Sequence, residues 1–328
     1  MSATYRVVAT DRVSKKGLAP LRDDGRFEVV IVKDSSTPDF TSELKTAAGL
    51  IVRSATRVDA AMLEGAPDLK VVGRAGVGVD NIDVPAASER GVAVTNSPGG
   101  NTISAAELTM ALMLAVARRV TDADRSIRQG RWERSTLQGV ELRGKTLGVI
   151  GAGRIGWEVA QRCRAFGMDV IVYDPYLAAK RVEELHPHLV SLERLIETAD
   201  VITLHVPLNA ETRGLIGDDA LHRMKKGAFV LNVSRGGVVD EAALARALHD
   251  QRIGGAGLDV YEHEPLSPDS PLLEAPNLVL SPHLGASTKE AQIQVALEVS
   301  RNIRAALALG DLSSAINATD LARAAGLS

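Results

Sequence analysis

The 328-residue sequence predicts an α/β protein with two parallel sheets, and three observations support this fold class. Short β-branched runs alternate with helical patterns along almost the whole chain, as strands joined by crossover helices do. These runs are continuously apolar, which is typical of strands covered on both faces. The length is that of two domains rather than one.

Eleven runs are predicted to be strands. The first half contains "YRVVAT", "FEVVIV", "GLIVRS", "KVVGRAG" and "VAVTN", and the second contains "KTLGVIG", "DVIVYD", "DVITLHV", "GAFVLNVS", "AGLDV" and "NLVLSP". The helices between them include "FTSELKTAAG" and "DAAMLEGA" in the first half, and "SLERLIETA" and "DEAALARALHD" in the second. A final helix is predicted from about 288 to 309.

The run "ISAAELTMALMLAVARRV" at 103–120 predicts one long helix. Glu107 interrupts it and two arginines close it before the ~20 apolar residues of a membrane span. Its apolar surface is wider than that of a surface helix, so we expect it in the core or at a subunit interface.

Composition excludes several classes of partner. A net charge of −3 gives no reason to expect nucleic acid or an anionic membrane. The seven histidines are too scattered for a metal cluster, and the single cysteine, Cys163, predicts packing rather than function. The N-terminus does not resemble a secretion signal, so a cytoplasmic location is expected.

"LGVIGAGRIGWEVAQRCRAFG" carries Gly151, Gly153 and Gly156 as G-x-G-x-x-G between a strand and a helix. Such glycines allow a tight turn, close approach to a pyrophosphate and close helix packing, and the helix amides face the phosphates. Asp174 ends the next strand, where a carboxylate accepts hydrogen bonds from a ribose diol and repels a 2′-phosphate. The pattern therefore favours NAD over NADP, and a merely tight turn is the alternative. The apolar side chains of the helix recur at helical spacing: Ile155, Val159, Cys163 and Phe166.

A second glycine-containing stretch, "GRAGVGVDN", has Asn81 where a third glycine would stand. It does not predict another dinucleotide site. Its amides could bind a small anion such as a substrate carboxylate, or the stretch could be a simple turn. Likewise, Arg235 in "LNVSRGGVVDE" follows a buried strand, and its charge needs either a neighbouring carboxylate or a ligand.

Taken together, the motifs resemble the D-isomer-specific 2-hydroxyacid dehydrogenases, and within them the phosphoglycerate dehydrogenases. The matching stretches, between about residues 50 and 295, are "VRSAT", "VVGRAGVGVDNID", "NTISAAEL", "GKTLGVIGAGRIG", "NVSRGGVVDEAAL", "GLDVYEHEP" and "SPHLGASTKEAQ". The resemblance implies a Rossmann-type NAD domain, 99–286, inserted into a flavodoxin-like substrate domain, 1–98 plus 287–328. The wide apolar surface of the 103–120 helix predicts a homodimer, or a tetramer built from dimers, with this helix at a subunit interface.

The resemblance implies a catalytic trio of Arg235, Glu264 and His283. Glu264 is preferred to Glu262 because the glutamate of the family directly precedes proline. Imidazole titrates in the range useful for moving the hydroxyl proton, and a carboxylate beside it orients the ring. A guanidinium can hold the substrate carboxylate by paired donors.

The resemblance also implies the ligand-binding positions, with no metal. The cofactor positions are Gly151, Gly153, Arg154, Ile155, Gly156, Asp174, Val206, Val233, Asp259 (near the carboxamide), His283 and Gly285. The substrate positions are Arg53, Ser54, Arg74, Gly76, Val77, Gly78, Asn101, Arg134 (from a neighbouring subunit) and Arg235.

The expected reaction is the NAD-dependent interconversion of 3-phosphoglycerate and 3-phosphohydroxypyruvate in serine biosynthesis, with arginines binding the phosphate. Val77 and Val206 stand where some relatives carry threonine. One alternative is a broader glyoxylate or hydroxypyruvate reductase. Another is a nucleotide-sensing corepressor, although the complete set of three catalytic residues argues against a protein that only senses a nucleotide. The short tail after the final helix leads us to expect no strong inhibition by serine through a regulatory domain.

Overall fold

The computed structural model describes residues 5–177 and 188–324. The chain divides into two compact units. One contains the residues up to Asn101 together with those from Ala286 onwards, and the other is Thr102–Gly285.

The strands are β1 Tyr5–Ala9, β2 Phe27–Ile31, β3 Gly49–Val52, β4 Val71–Arg74, β5 Ala93–Thr95, β6 Thr146–Ile150, β7 Asp169–Tyr173, β8 Val201–Leu204, β9 Phe229–Asn232, β10 Gly255–Leu258 and β11 Leu278–Leu280. In the described ranges the helices are α1 Ala19–Arg22, α2 Pro38–Leu44, α3 Ala60–Glu64, α4 Val84–Glu89, α5 Thr102–Ala117, α6 Val120–Arg128, α7 Arg154–Ala165, α8 Leu192–Thr198, α9 Asp218–Arg223, α10 Glu241–His249, α11 Lys289–Leu309 and α12 Ala318–Ala324. A 3₁₀ helix covers Pro271–Glu274.

The first unit contains a five-stranded parallel sheet in the order β2-β1-β3-β4-β5, which is the flavodoxin-like order. Val7 pairs with Val29 on one side and with Gly49 on the other. The final predicted helix is α11, and it packs on this sheet. A Cβ on Gly73 would lie 2.3 Å from Val299 Cγ2, so the glycine in β4 lets the helix approach closely.

The second unit contains a six-stranded parallel sheet in the order β11-β10-β9-β8-β6-β7. Val172 in β7 also forms a parallel bridge with Leu189, beyond the edge of the sheet. If the Leu189 segment is counted as a further strand, it and β7 lie on one side of β6, and β8 to β11 lie on the other side. This is the strand arrangement of a Rossmann sheet. The predicted fold class is confirmed.

The prediction of one continuous helix over 103–120 is wrong, because the structure has two helices in this region. α5 ends at Ala117, and α6 begins after Arg119, whose φ of 50° is left-handed. α5 is apolar on most sides because it is packed within its own unit. Leu112 and Val116 cover the glycines of β10.

Cys163 in α7 is confirmed as a packing residue. Its side chain is fully buried and its sulfur lies 3.5 Å from Met110 Sδ. Burial raises the pKa of Cys163 to about 12. Phe166 does not continue the buried face of α7, because it is the C-cap residue and is 46% exposed.

Side-chain caps set several helix starts. α2 begins two residues earlier than the sequence pattern suggested, because Thr37 accepts a hydrogen bond from Phe40 N and Pro38 occupies the first turn. Thr288 caps α11 in the same way, and Gly310 ends it with a φ of 66°. No helix in the described ranges is long and apolar enough to cross a bilayer.

Candidate active site

The glycine loop joins β6 to α7, and its geometry requires glycine at two positions. Gly151 has a φ of 90°, and a Cβ there would lie 2.6 Å from the carbonyl oxygen of His205. A Cβ on Gly156 would lie 2.0 Å from the carbonyl oxygen of Gly151. Gly153 is the N-cap of α7 and offers no side chain to the helix amides, which leaves them available to a ligand.

A cavity of about 840 Å³ opens at this loop, within the size range of ligand pockets. Five of the predicted cofactor residues line it: Gly151, Gly153, Arg154, Asp174 and Val206. Its other lining residues include Tyr176, His205, Pro207, Asn209, Glu211, Thr212 and Leu215, which the motifs did not identify. Ile155, Gly156, Val233, Asp259, His283 and Gly285 are not among the residues that line it.

Asp174 stands at the end of β7 and holds the glycine loop. Its Oδ2 accepts a hydrogen bond of 2.8 Å from Ala152 N, and its Oδ1 accepts one of 3.0 Å from Tyr176 N. Each carboxylate oxygen has further lone pairs, and the side chain is partly exposed at the cavity. The carboxylate can therefore fix the loop and still accept from a bound hydroxyl.

Two polar pairs flank the cavity. His205 Nε2 lies 2.9 Å from Thr203 Oγ1, and burial lowers the pKa of His205 to about 3, so the ring is neutral at physiological pH. The Tyr176 hydroxyl donates to Glu211 Oε2, and this bond to a carboxylate raises the pKa of Tyr176.

His283 and Glu264 form a direct pair. His283 Nδ1 lies 2.7 Å from Glu264 Oε2, and both side chains are partly exposed. Glu264 Oε1 accepts a hydrogen bond of 3.1 Å from Tyr261 N, which orients the carboxylate. Glu262 faces a different cation, since its Oε1 lies 4.0 Å from Arg213 Nη1.

Asp259 supports the loop that carries His283. Its oxygens accept hydrogen bonds from Ser281 Oγ, Leu284 N and Gly285 N, at 2.6 to 2.8 Å. The residue has no exposed surface, whereas the resemblance led us to expect it beside the carboxamide. In the structure its carboxylate oxygens accept hydrogen bonds from the loop residues instead. Val233 is buried as well, and a Cβ on Gly285 would lie 3.5 Å from its Cγ1.

Arg235 follows β9 in a loop shaped by Asn232. Asn232 Nδ2 donates to the Arg235 carbonyl, and its Oδ1 accepts from Ser234 N and Oγ, at 2.7 to 3.0 Å. The half-buried guanidinium donates through Nη1 to Ser234 O at 2.7 Å. Its charge thus lies at the carboxyl edge of the same sheet that bears the glycine loop.

The first unit holds a cluster of predicted substrate residues after β3 and β4. Arg53 N donates to Asp11 Oδ2 at 2.8 Å, and burial lowers the pKa of Arg53. Asn81 Nδ2 donates to the carbonyls of Arg53 and Thr56, so the residue that interrupts the second glycine pattern braces this edge. Asp11 and Arg53 follow β1 and β3, which flank the switch point of the sheet.

The other predicted substrate residues are distributed between the two units. In the first unit, Arg74 ends β4, and a Cβ on Gly76 would lie 2.1 Å from its Nη1. Ser54 is exposed there, and Val77 and Gly78 are half-buried. Asn101 Oδ1 is buried without a hydrogen-bond partner among the described residues. Arg134 is exposed in the second unit.

No group of three or more His, Cys, Asp or Glu side chains in residues 5–177 and 188–324 could hold a metal ion.

Comparison with known proteins identifies the family. The model of the NAD-binding domain of D-isomer specific 2-hydroxyacid dehydrogenases matches residues 110–285, more than half of the chain. The chain belongs to this family. The resemblance inferred from the motifs is confirmed, and the chain contains the family's NAD-binding domain.

Curated relatives of the chain include D-3-phosphoglycerate dehydrogenases. That of Archaeoglobus fulgidus is 48% identical over 91% of this chain and 56% of its own length. That of Bacillus subtilis is 46% identical over the same shares. The chain thus spans somewhat more than half the length of the curated relatives it matches.

Solved structures match along nearly their whole length. The TT0316 protein from Thermus thermophilus is 39% identical, with a TM-score of 0.85 over 95% of this chain and 99% of that one. A glyoxylate reductase from Paecilomyes thermophila is 31% identical, with a TM-score of 0.84 over 96% and 99%.

Proposed function

We propose that this protein is an NAD-dependent dehydrogenase that interconverts 3-phosphoglycerate and 3-phosphohydroxypyruvate. The observation that carries the proposal is the hydrogen-bonded pair of His283 and Glu264, because a protein that only senses a nucleotide needs no proton-transfer group. The names of the curated relatives support the substrate.

The glycine loop and its cavity fit a dinucleotide. Close approach is possible at Gly151 and Gly153, the amides of α7 face the loop, and Asp174 offers acceptor oxygens. When bound, NAD supplies the hydride acceptor for oxidation and NADH the donor for reduction. Arg154 and Val206 line the same cavity and would contact the cofactor. We extend this role to Ile155, Gly156, Val233 and Gly285, whereas buried Asp259 would hold the His283 loop.

His283 is proposed to carry the proton. With Nδ1 bonded to Glu264, the Nδ1 hydrogen is fixed, and Nε2 is the atom that exchanges a proton with the substrate oxygen. In oxidation Nε2 takes the hydroxyl proton, and in reduction the imidazolium returns it. The Glu264 carboxylate orients the ring and stabilises its charged form.

Arg235 is proposed to bind the substrate carboxylate through paired donors and to polarise the carbonyl oxygen. The remaining substrate positions would bind the rest of the acid: Arg53, Ser54, Arg74, Gly76, Val77, Gly78, Asn101 and, from a neighbouring subunit, Arg134. The arginines among them would hold the phosphate. Burial of Arg53 supports this role, because a cation that has lost water gains more from an anionic ligand.

We also propose that 1–98 with 287–328 form the substrate domain and that 99–286 form the cofactor domain. The change between compact units at 101/102 and 285/286 supports these boundaries. A cytoplasmic location fits the small, soluble substrates proposed.

A homodimer, or a tetramer of dimers, is proposed as the working form. The 103–120 region is proposed to contribute to the subunit interface, and the 48% exposure of Ile103 on α5 supports this. Further exposed apolar side chains lie on α6 and the segment after it: Val120, Ile127 and Trp132 are 52%, 56% and 82% exposed. Light scattering at micromolar concentration should give a multiple of 34.7 kDa, and the monomer mass alone would refute the proposal.

The decisive experiment is steady-state turnover across a panel of acids. The purified protein is assayed with NADH and 3-phosphohydroxypyruvate, hydroxypyruvate, glyoxylate or pyruvate, and the panel is repeated with NADPH. The highest kcat/KM is expected for 3-phosphohydroxypyruvate with NADH. Arg53→Met should reduce the ratio of kcat/KM for 3-phosphohydroxypyruvate over hydroxypyruvate, because the phosphate loses a cation.

Two outcomes would replace the proposal. A higher kcat/KM for glyoxylate or hydroxypyruvate would identify a broader reductase, a function that the 31% identical glyoxylate reductase and the valines Val77 and Val206 favour as second candidate. NADH binding without turnover of any acid would identify a nucleotide sensor.

A further inference from the structure

The loops that carry Arg235 and Glu264 are in direct contact. A Cβ on Gly236 would lie 1.8 Å from the carbonyl oxygen of Tyr261 and 2.6 Å from Glu262 N. The backbone after Arg235 therefore packs against the peptide group that joins Tyr261 to Glu262. A side chain at Gly236 would force these loops apart.

The same peptide group is held from a second side by Glu241, in the first turn of α10. Glu241 Oε1 accepts a hydrogen bond of 2.6 Å from Glu262 N. Glu241 is not needed as the helix cap, because Asp240 already caps α10 by accepting from Ala243 N. The carboxylate of Glu241 is therefore directed at the loop and not at its own helix.

Tyr261 links this peptide group to Glu264, because its Cα joins the Tyr261–Glu262 peptide to the preceding one, whose N–H binds Glu264. Tyr261 N donates to Glu264 Oε1, and the Tyr261 hydroxyl donates to Ser281 O at 2.9 Å, two residues before His283. A shift of the Tyr261–Glu262 peptide would thus move the partner of the imidazole. The loop is otherwise exposed at Glu262 and His263, which gives it little packing of its own.

We propose that Glu241 is a positioning residue for proton transfer: its carboxylate tethers the Glu262 amide and thereby fixes Glu264 against His283. The inference rests on the proposed function, because it assigns Glu241 a part in that reaction. Placing this carboxylate half-buried beside Glu262 and Asp240 is unfavourable, as its raised pKa shows. His263 partly offsets the repulsion, and Arg213 pairs with Glu262.

The test compares Glu241→Ala, which removes the acceptor, with Glu241→Gln, whose amide oxygen can still accept from Glu262 N. Ala242→Gly is the matched control, because it weakens the same exposed first turn of α10 without touching the loop. Each variant is assayed for kcat in keto-acid reduction, for NADH affinity and for the upper pH limit of reduction. Amide hydrogen exchange at Glu262 reports on the tether itself.

Glu241→Ala should lower kcat by about ten-fold, the loss expected when a hydrogen bond to a charged group no longer holds the pair. NADH affinity should not change, and the upper pH limit should fall because a displaced Glu264 stabilises the imidazolium less. Glu241→Gln should restore kcat to within about two-fold of wild type, since an acceptor remains. The Glu262 amide should exchange faster only in Glu241→Ala.

If the wild type is active and Glu241→Ala has the same kcat and the same upper pH limit, the inference is overturned and the proposed function still stands. Equal losses in Glu241→Gln and Glu241→Ala, or equal losses in Ala242→Gly, would also overturn it, because they would indicate a general effect on α10. Unchanged exchange at the Glu262 amide would show that the tether does not hold in solution. A wild type that turns over none of the acids would refute the proposed function instead.

Discussion

His205 offers a direct test of the cavity's electrostatics through the pH dependence of stability. Its ring is neutral in the folded protein, with a pKa lowered by burial from 6.5 to about 3. In the unfolded chain the same ring binds a proton below pH ~6.5. The unfolded state therefore binds more protons between these values, and the folded state loses stability as the pH falls from about 6.5 toward 3.

The size of this loss follows from the two pKa values. At pH 5, about 1.5 pH units below the pKa of the unfolded ring, proton binding stabilises the unfolded chain by roughly 2 kcal/mol. The folded ring stays neutral at this pH, so the folded state gains no such stabilisation. His205→Gln removes the titrating group and keeps a polar atom near the position of Nε2, where it can bond Thr203 Oγ1. The variant should thus lose about 2 kcal/mol less stability than wild type between pH 7.5 and 5.

Urea unfolding at the two pH values measures this difference. Both tryptophans, Trp132 and Trp157, lie in the second unit, so their fluorescence follows the part of the protein that contains His205. Carboxylates titrate equally in wild type and variant, and subtracting the two pH effects removes them. His249→Gln, at the exposed end of α10, is the control. Equal losses in wild type and His205→Gln would refute the reasoning.

The remaining predictions concern four side chains. His283→Asn should lower kcat by ~10²–10⁴-fold while NADH still binds, as fluorescence titration can show; near-normal turnover would mean another proton route. Glu264→Gln should impair kcat less and lower the upper pH limit of reduction, whereas an unchanged profile would contradict its role. Asp174→Ala should narrow the kcat/KM preference for NADH over NADPH by roughly ten-fold or more, and a wild-type preference for NADPH would refute this. Native Cys163, with a pKa of about 12 in place of 9.0, should react with iodoacetamide at pH 8 about 10³-fold more slowly than an exposed cysteine.

The sheets could be predicted because their signal is local. A strand such as Gly49–Val52 is buried at every position and reads as a continuous apolar run. The break between α5 and α6 could not be predicted, because neither glycine nor proline marks it. Arg119 adopts its left-handed conformation and donates from its side chain to Asp122 and to Thr136 O, and the contact with Thr136, 17 positions away, depends on the fold.

The same distinction applies to the site. The glycine loop was predictable, since the positive φ of Gly151 and the contact of Gly156 with the Gly151 carbonyl both arise within one strand–turn–helix segment. His205 lines the same cavity but follows β8, and only the sheet order brings β8 beside β6. The contact of Glu241 with Glu262 N joins residues 21 positions apart and leaves no pattern in the sequence.

The burial of Asp259 shows how the candidate acid–base group is held. A carboxylate without water is stable only when donors replace its hydration, and here Ser281, Leu284 and Gly285 supply them. Those donors come from the loop around His283, whose own backbone N donates to Asp259 O at 2.9 Å. One carboxylate thus fixes the backbone of the loop, and a second, on Glu264, fixes the ring. A proton-transfer group needs both constraints, because a small displacement of the ring would cost more rate than either hydrogen bond contributes to stability.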